Sequence, residues 1–227
     1  MPHMPTIRHS PWIKSRNVAW EQVLHLGQRL RYCKNEFVGG NGEHVNYLHY
    51  LYKGRIKLCR ITSCGIEKIL FHIEEKNLFG EVPFWSEQQM ESAFIAEDHC
   101  EVYVFSRQCI KDEIMPVFPF LILNMLDGMA NKSHILGNLA CDIADLTTRV
   151  SKVLVYVADR DRPDLKATQS ITVRGISQQE LASMLGVHRV TINHAVGQLK
   201  RLGIIGEMTK SNLVILDYPR LLDMASK

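Results

Sequence analysis

The chain has 227 residues, 46% of them apolar and 22% charged, with a formal net charge of +3. That composition excludes a disordered chain, and the length suits two modest domains better than one or three. No apolar run reaches the roughly 18 residues of a membrane span; the best, Val117 to Leu126, is about half as long and contains Asn124.

The first six residues lack the layout of a signal peptide. Six cysteines (Cys33, Cys59, Cys64, Cys100, Cys109, Cys141) are scattered without a C-x-x-C pair, so neither a zinc ribbon nor a disulfide scaffold is indicated. A cytoplasmic protein with no membrane partner is expected. From Leu146 onward 12 Lys and Arg face 7 Asp and Glu, a net of +5, while the remainder carries 15 against 17. A basic C-terminal third suits a polyanion partner, although a solvated basic face gives the same numbers.

The first 110 residues read as β structure. Turn chemistry recurs at Gly39-Gly40-Asn41-Gly42, Lys53-Gly54, Ser63-Cys64-Gly65, Asn77, Gly80 and Asp98-His99. Between these turns lie short β-rich runs at Tyr47 to Tyr52, Arg55 to Ile61, Lys68 to Ile73, Ser92 to Ala96 and Glu101 to Phe105. Ile56 and Leu58 alternate with Arg55 and Lys57, as expected of half-buried strands. A small barrel or jelly roll is predicted.

After Pro119 the period changes. Ile122, Leu126, Met129, Ser133, Leu136, Ala140 and Ile143 are spaced 4-3-4-3-4-3, the seam of a coiled coil. An amphipathic helix lying on its own domain shows the same stripe, so dimerisation and simple packing both remain open. A second helix is predicted from Asp145 to about Ala158, then a polar stretch, then a short strand at Ile171 to Val173.

The segment from Ser177 to Leu202 carries the clearest signal. Ser177 and Glu180 form a capping-box pair, and Leu181, Met184 and Leu185 give the helix an apolar face. Gly186 suits the left-handed residue that ends it. A second helix then starts near His188 and buries Ile192, Ala195, Val196 and Leu199. Two short helices in this arrangement form a helix-turn-helix, with His188, Arg189, Thr191, Asn193 and His194 exposed where base-reading side chains belong. An αα-hairpin in an enzyme's accessory domain is the bland alternative. The coincidence of cap, glycine, basic residues and a following Gly203-Ile204-Ile205 wing favours DNA.

With these motifs in view, the chain resembles the CRP/FNR family of bacterial transcription regulators. The β half is similar to the family's effector domain at Leu51-Tyr52-Lys53-Gly54-Arg55-Ile56-Lys57-Leu58, at Ile66-Glu67-Lys68-Ile69-Leu70 and at Leu78-Phe79-Gly80-Glu81-Val82-Pro83-Phe84. Asp145-Leu146-Thr147-Thr148-Arg149-Val150 looks like the start of the helix leading into the DNA-binding part.

The resemblance implies an α+β chain in three parts. These are a jelly-roll-like β-roll effector domain (1–110), a long dimerisation helix (111–144) and a C-terminal winged helix-turn-helix (145–227). It implies a homodimer through Ile122, Leu126, Met129, Leu136, Ala140 and Ile143, an inverted-repeat operator in double-stranded DNA, and RNA polymerase as a further partner. No catalytic and no metal residues are expected. By motif position Arg189 reaches a guanine edge, and Val190 stands where cyclic-AMP-type members carry a base-contacting glutamate. His194 replaces a second base-contacting arginine. Gln179, His188 and Thr191 read as phosphate positioners.

The resemblance also assigns an effector pocket. Cyclic-AMP-binding members hold phosphate with a Gly-Glu pair and an Arg-Ser pair eleven residues on; here Gly80-Glu81 is followed by Glu91-Ser92. A glutamate at the arginine position repels a phosphodiester, so a small organic effector other than a cyclic nucleotide is expected; a Glu91 that is simply a solvated loop residue is the alternative. Lys132, Ser133 and His134 occupy the pocket-closing region of the long helix. Lys132 there suits a carboxylate or phenolate, with a surface lysine on a coiled-coil flank as the equal alternative, and Val190-Thr191 resembles the branch that regulates reductive dehalogenation in response to chlorinated phenols.

Haem sensing through His72, His99 or Cys100, and redox sensing through the cysteines, are alternatives. An iron-sulfur cluster is not expected, because Cys33 stands alone before residue 59. A cupin-type metal enzyme would need a tight histidine set, which His44, His49, His72 and His99 do not supply. A helix-turn-helix serving only as an interaction module is disfavoured by Arg189.

Overall fold

The computed structural model describes residues 12–13, 16–61, 67–141, 144–161 and 170–226; the side chains of 12 and 138–141 are outside that description. Contacts divide the chain into two compact units, one chiefly 11–61 and 69–137, the other chiefly 138–227.

The first unit is a β-roll. After Trp12–Ile13 (β1) comes a 3₁₀ segment, Val18–Leu26, and then Gln28–Tyr32 (β2), Phe37–Gly40 (β3), Tyr47–Lys53 (β4) and Ile56–Ile61 (β5). Glu67–Ile73 (β6), Asn77–Phe79 (β7), a short helix Glu81–Ser86 (α1), Ala93–Ala96 (β8) and Cys100–Ser106 (β9) complete it. The strands form two sheets, ordered β1-β6-β5-β8-β3 and β2-β9-β4-β7. Five of the β runs legible in the sequence appear as β4, β5, β6, β8 and β9. Asn77, read as a turn, instead opens β7: its side chain is buried and donates to the carbonyls of Ile13, Glu74 and Glu75.

The β-roll core gathers Trp20, Leu48, Tyr50, Phe84 and Phe105 with Leu121 and Met125 of the following helix. Residues 111–144 are not one helix. A helical segment runs over Arg107–Cys109 (α2), a π turn at Ile110–Ile114 and Met115–Val117 (α3). The chain then bends by 118° before Phe120–Cys141 (α4). Pro119 has no N–H to continue a helix and disfavours helical geometry in Phe118, so the break falls there.

Two apolar stripes run along α4. Leu121, Met125, Gly128, Lys132 and Ile135 are buried against the β-roll, spaced 4-3-4-3. The seam read from the sequence lies one residue further on. Leu126 is 50% and Leu136 37% exposed, and Ile122 and Met129 are half-buried. The inner stripe carries most of the packing of α4 on the β-roll, and the seam shares in it only through its inner edge, where Ile122 and Met129 touch the core and Met129, Ser133 and Leu136 border the cavity. Ala140 lies in α4 but its side chain is outside the described set, and Ile143 lies outside the described residues.

The second unit opens with Leu146–Asp161 (α5), whose N-cap Asp145 accepts from the Thr147 and Thr148 N–H groups and the Thr148 hydroxyl. These bonds, the Thr148 hydroxyl foremost, hold the Asp145 carboxyl below its ordinary range. Ile171–Val173 (β10), Gln178–Leu185 (α6), Arg189–Arg201 (α7), Ile205–Met208 (β11), Leu213–Ile215 (β12) and Tyr218–Ala225 (α8) follow. The three strands pair in the order β10-β12-β11.

Candidate nucleic-acid interface and effector cavity

The helix-turn-helix is built as its sequence requires. The Ser177 hydroxyl accepts from the Glu180 N–H at 3.1 Å, capping α6. Gly186 ends α6 with φ 65°, and the N–H of Val187 then returns to Ala182 O at 3.1 Å. A β-carbon at this left-handed position would be strained, which makes glycine the fitting residue. Ile192, Ala195, Val196 and Leu199 are at most 4% exposed and seat α7. Burial of the three larger side chains contributes on the order of 1.5–3 kcal/mol each. Two side-chain bonds fix the frame: Arg149 donates to Leu185 O at 2.8 Å, and the Thr147 hydroxyl donates to Gln198 Oε1 at 3.0 Å.

That frame leaves one polar edge in water. His188 is the N-cap of α7, and His188, Arg189, Val190, Thr191, Asn193 and His194 are all exposed. Gln179, at the start of α6, is exposed as well. The seven positions expected at DNA are thus brought to one helix start and its neighbour. After α7 in the chain, the β11–β12 hairpin carries Lys210 and Ser211 at its tip, closed by Thr209 and Asn212. Sequence reading missed α8, although Asp217 before Tyr218-Pro219 is a usable start signal: the Asp217 carboxylate accepts from Arg220 N–H at 3.0 Å. The Tyr218 hydroxyl donates to Asp159 at 2.5 Å, and burial with that carboxylate nearby raises the phenol's pKa.

The β-roll contains a cavity of about 280 Å³. Gly80 (φ 79°) turns the chain from β7 into α1 and sets Glu81 into the cavity wall. Gly80, Glu81, Ser92, Lys132 and Ser133 all line it, so five of the six residues expected at the effector come together. The sixth does not. Glu91 is 74% exposed and pairs with Arg60 outside the lining. Ser86, Gln88 and Gln89 line the cavity too. They were missed, though they lie between the two motifs that define the pocket.

Lys132 departs from its expected state. Its ammonium is buried, donates to Leu78 O at 2.6 Å and is ion-paired with Glu81. The buried cation is already neutralised within the chain and does not await a ligand anion.

The alternative sensors fare differently. Neither His72, His99 nor Cys100 lines the cavity. The His72 Nδ1 lies 2.8 Å from Glu97. Burial alone would raise the Glu97 pKa, yet His72 and Arg55 hold it below the ordinary value. The Cys100 thiol is pushed up to about 11, first by burial and then by Asp98; burial likewise raises Cys109. Both shifts oppose the thiolate that redox sensing or haem ligation needs. Among the described residues no group of three His, Cys, Asp or Glu side chains is placed to hold a metal ion, and no single helix is long and apolar enough to cross a membrane.

Comparison with known proteins matches both halves. Residues 29–115 match the cyclic nucleotide-binding domain family, and residues 148–224 match the Crp-like helix-turn-helix domain. The chain belongs to the CRP/FNR family. It is 27% identical to the cAMP-activated global transcriptional regulator CRP of Pasteurella multocida over 178 residues, covering 76% of this chain and 83% of that protein. It is 22% identical to the cAMP-activated global transcriptional regulator Vfr of Pseudomonas aeruginosa over 93% of this chain and 98% of that one.

In fold it resembles a CprK variant complexed with OCPA (TM-score 0.77, 17% identity, 95% of this chain and 97% of that one). A CooA mutant from Carboxydothermus hydrogenoformans matches equally well (TM-score 0.77, 20% identity, 93% and 96%). The chain is a family member with an N-terminal effector-binding β domain, a long helix and a C-terminal DNA-binding helix-turn-helix, and its curated relatives are transcription regulators.

Proposed function

We propose that the protein is a homodimeric, sequence-specific DNA-binding regulator whose operator affinity is set by a small effector in the β-roll cavity. The observation that carries this reading is the exposed start of α7, where Arg189, Val190, Thr191, Asn193 and His194 stand in solvent on a helix seated by Ile192. Arg189 reads a guanine through its planar fork, and Val190 packs on a thymine methyl. Gln179, His188 and Thr191 position phosphates, and Asn193 and His194 complete the surface facing the groove.

The outer stripe of α4, which leaves Leu126 50% and Leu136 37% exposed, supports the dimer. Ile122, Leu126, Met129 and Leu136 pair across the two-fold axis, with Ala140 and Ile143 continuing the seam. Two recognition helices then meet successive faces of the major groove, and the operator is an inverted repeat. Gly80, Glu81, Ser92, Lys132 and Ser133 form the effector site. Among its described residues the lining has no arginine and one lysine, already paired, which disfavours a cyclic nucleotide phosphate. Chromosomal DNA in the cytoplasm and RNA polymerase form the setting that fits such a regulator.

Selection from randomised duplex DNA tests the reading. An enriched inverted repeat is expected; a pool that stays random after repeated rounds would sink it.

A further inference from the structure

We propose that the β-roll cavity takes an uncharged, largely apolar small molecule with one hydrogen-bonding head group, and discriminates against carboxylates and phosphodiesters. This rests on the reading of the cavity as the effector site and adds the class of ligand. Most of the wall is hydrocarbon: Leu58, Phe71, Phe79, Phe94, Met129 and Leu136 all face it. Its neutral polar groups are serines and glutamines. Among the described residues of the lining, Glu81 and Lys132 alone carry charge, and they are paired with each other. The wall is therefore electrically balanced before any ligand arrives.

That balance decides selectivity. An anion entering the cavity must shed its water and compete with Glu81 for Lys132, while the Glu81 carboxylate repels it. Exchanging one carboxylate for another gains little, and the displaced Glu81 would be left buried without a partner. An uncharged apolar molecule meets no such cost and gains by leaving water. The ion pair still orients it. Leu78 O and Glu81 occupy two of the three ammonium donors, and Glu81 keeps its second oxygen. A hydroxyl, ketone or amide head group is suited to the remaining donor and acceptor. The volume of about 280 Å³ sets the rest of the ligand at the scale of two or three linked or fused rings.

Two probes of nearly the same shape separate charge from shape. N-phenyl-1-naphthylamine is neutral, and 1-anilinonaphthalene-8-sulfonate is its sulfonated counterpart. Fluorescence titration of the full chain is expected to show the neutral probe binding at least tenfold tighter. Glu81→Gln leaves Lys132 unpaired and should reverse the order, with the sulfonate gaining at least tenfold. The double variant Glu81→Gln with Lys132→Met removes both charges and should restore the wild-type order, which separates charge balance from damage to the fold.

Ser92→Trp, and Ser133→Trp from the helix side, should fill the cavity and abolish binding of the neutral probe. If both filled variants still bind it as wild type does, the cavity is not the binding site and the underlying reading fails. If they abolish binding but the wild-type protein prefers the sulfonate, the cavity reading stands and the charge-balance proposal is overturned. Wild-type binding of neither probe overturns the proposal as well.

Discussion

On α7, Arg189 and His194 stand in water and make no ion pair among the described residues, whereas in the β-roll cavity Lys132 and Glu81 are buried and hold each other. The first arrangement leaves hydrogen-bonding capacity free for a partner as polar and charged as DNA. The second consumes it, so that an incoming molecule is chosen mainly by shape and apolar contact. One chain thus exposes charge at the start of α7 and cancels it within the β-roll cavity. Helix α4 repeats the contrast on a single element: its inner stripe is buried in the β-roll, while its outer stripe keeps leucines half in solvent.

The contrast on α4 can be broken from either side. Leu136→Glu places a carboxylate in the outer stripe, where pairing would desolvate it. Sedimentation should show the dimer replaced by monomer at micromolar concentration with thermal stability of the fold retained; an unaltered dimer would move the interface elsewhere. Leu121→Ala acts on the inner stripe and leaves a cavity in a site that is fully buried. It should cost about 2–5 kcal/mol in unfolding free energy at every protein concentration. A loss below about 1 kcal/mol would mean that α4 is not anchored through this face.

A buried histidine sharpens the difference between enclosed and exposed groups. His49 is 7% exposed, stacks on Phe79 with ring centroids 4.7 Å apart, and has its Nδ1 without a partner. Burial lowers its pKa to about 4, outweighing a backbone bond at Tyr47. The folded state therefore resists a proton that the unfolded state accepts near its ordinary value of about 6.5. Stability from this group is complete above pH 6.5 and is lost as pH falls from there towards 4, by about 3 kcal/mol in all. Urea midpoints at pH 7, 5 and 4 should fall less steeply in His49→Gln; an equal slope in both proteins would contradict the assignment.

The smallest expected effect is local. Ser177→Ala removes the α6 cap and should cost about 1 kcal/mol by thermal melting, with the helix otherwise intact. No loss would show that water caps α6 as well as the hydroxyl does.

How far each region was legible follows from the span of its contacts. The helix-turn-helix is written in signals three to ten residues long: Ser177 with Glu180, Gly186 at φ 65°, and the buried spacing from Ile192 to Leu199. Nothing distant is needed to read it. The cavity joins Leu58, Glu81, Ser92 and Lys132 from four separate parts of the chain, and the pair that sets its charge spans 51 positions.

Sequence placed Glu81 and Lys132 in the pocket but not against each other. It grouped Glu91 with the pocket by motif position, with a solvated loop residue as the alternative, and the exposed pair with Arg60 matches the alternative. The two-residue β1 and three-residue β7 were likewise illegible, since runs so short carry no period. Ile143 lies outside the described residues, so the far end of the seam rests on spacing alone.

Sequence reading by α7 is the central claim, and one titration series addresses it most directly. Wild type and Arg189→Ala would be compared by fluorescence anisotropy on the selected operator and on every single-base variant of one half-site, at one fixed salt concentration. Arg189→Ala should lose about 1–3 kcal/mol on the operator and show no further loss at one G·C pair, the position it no longer reads. A uniform loss across all sequences, with base preferences unchanged, would make Arg189 a phosphate contact and contradict the account.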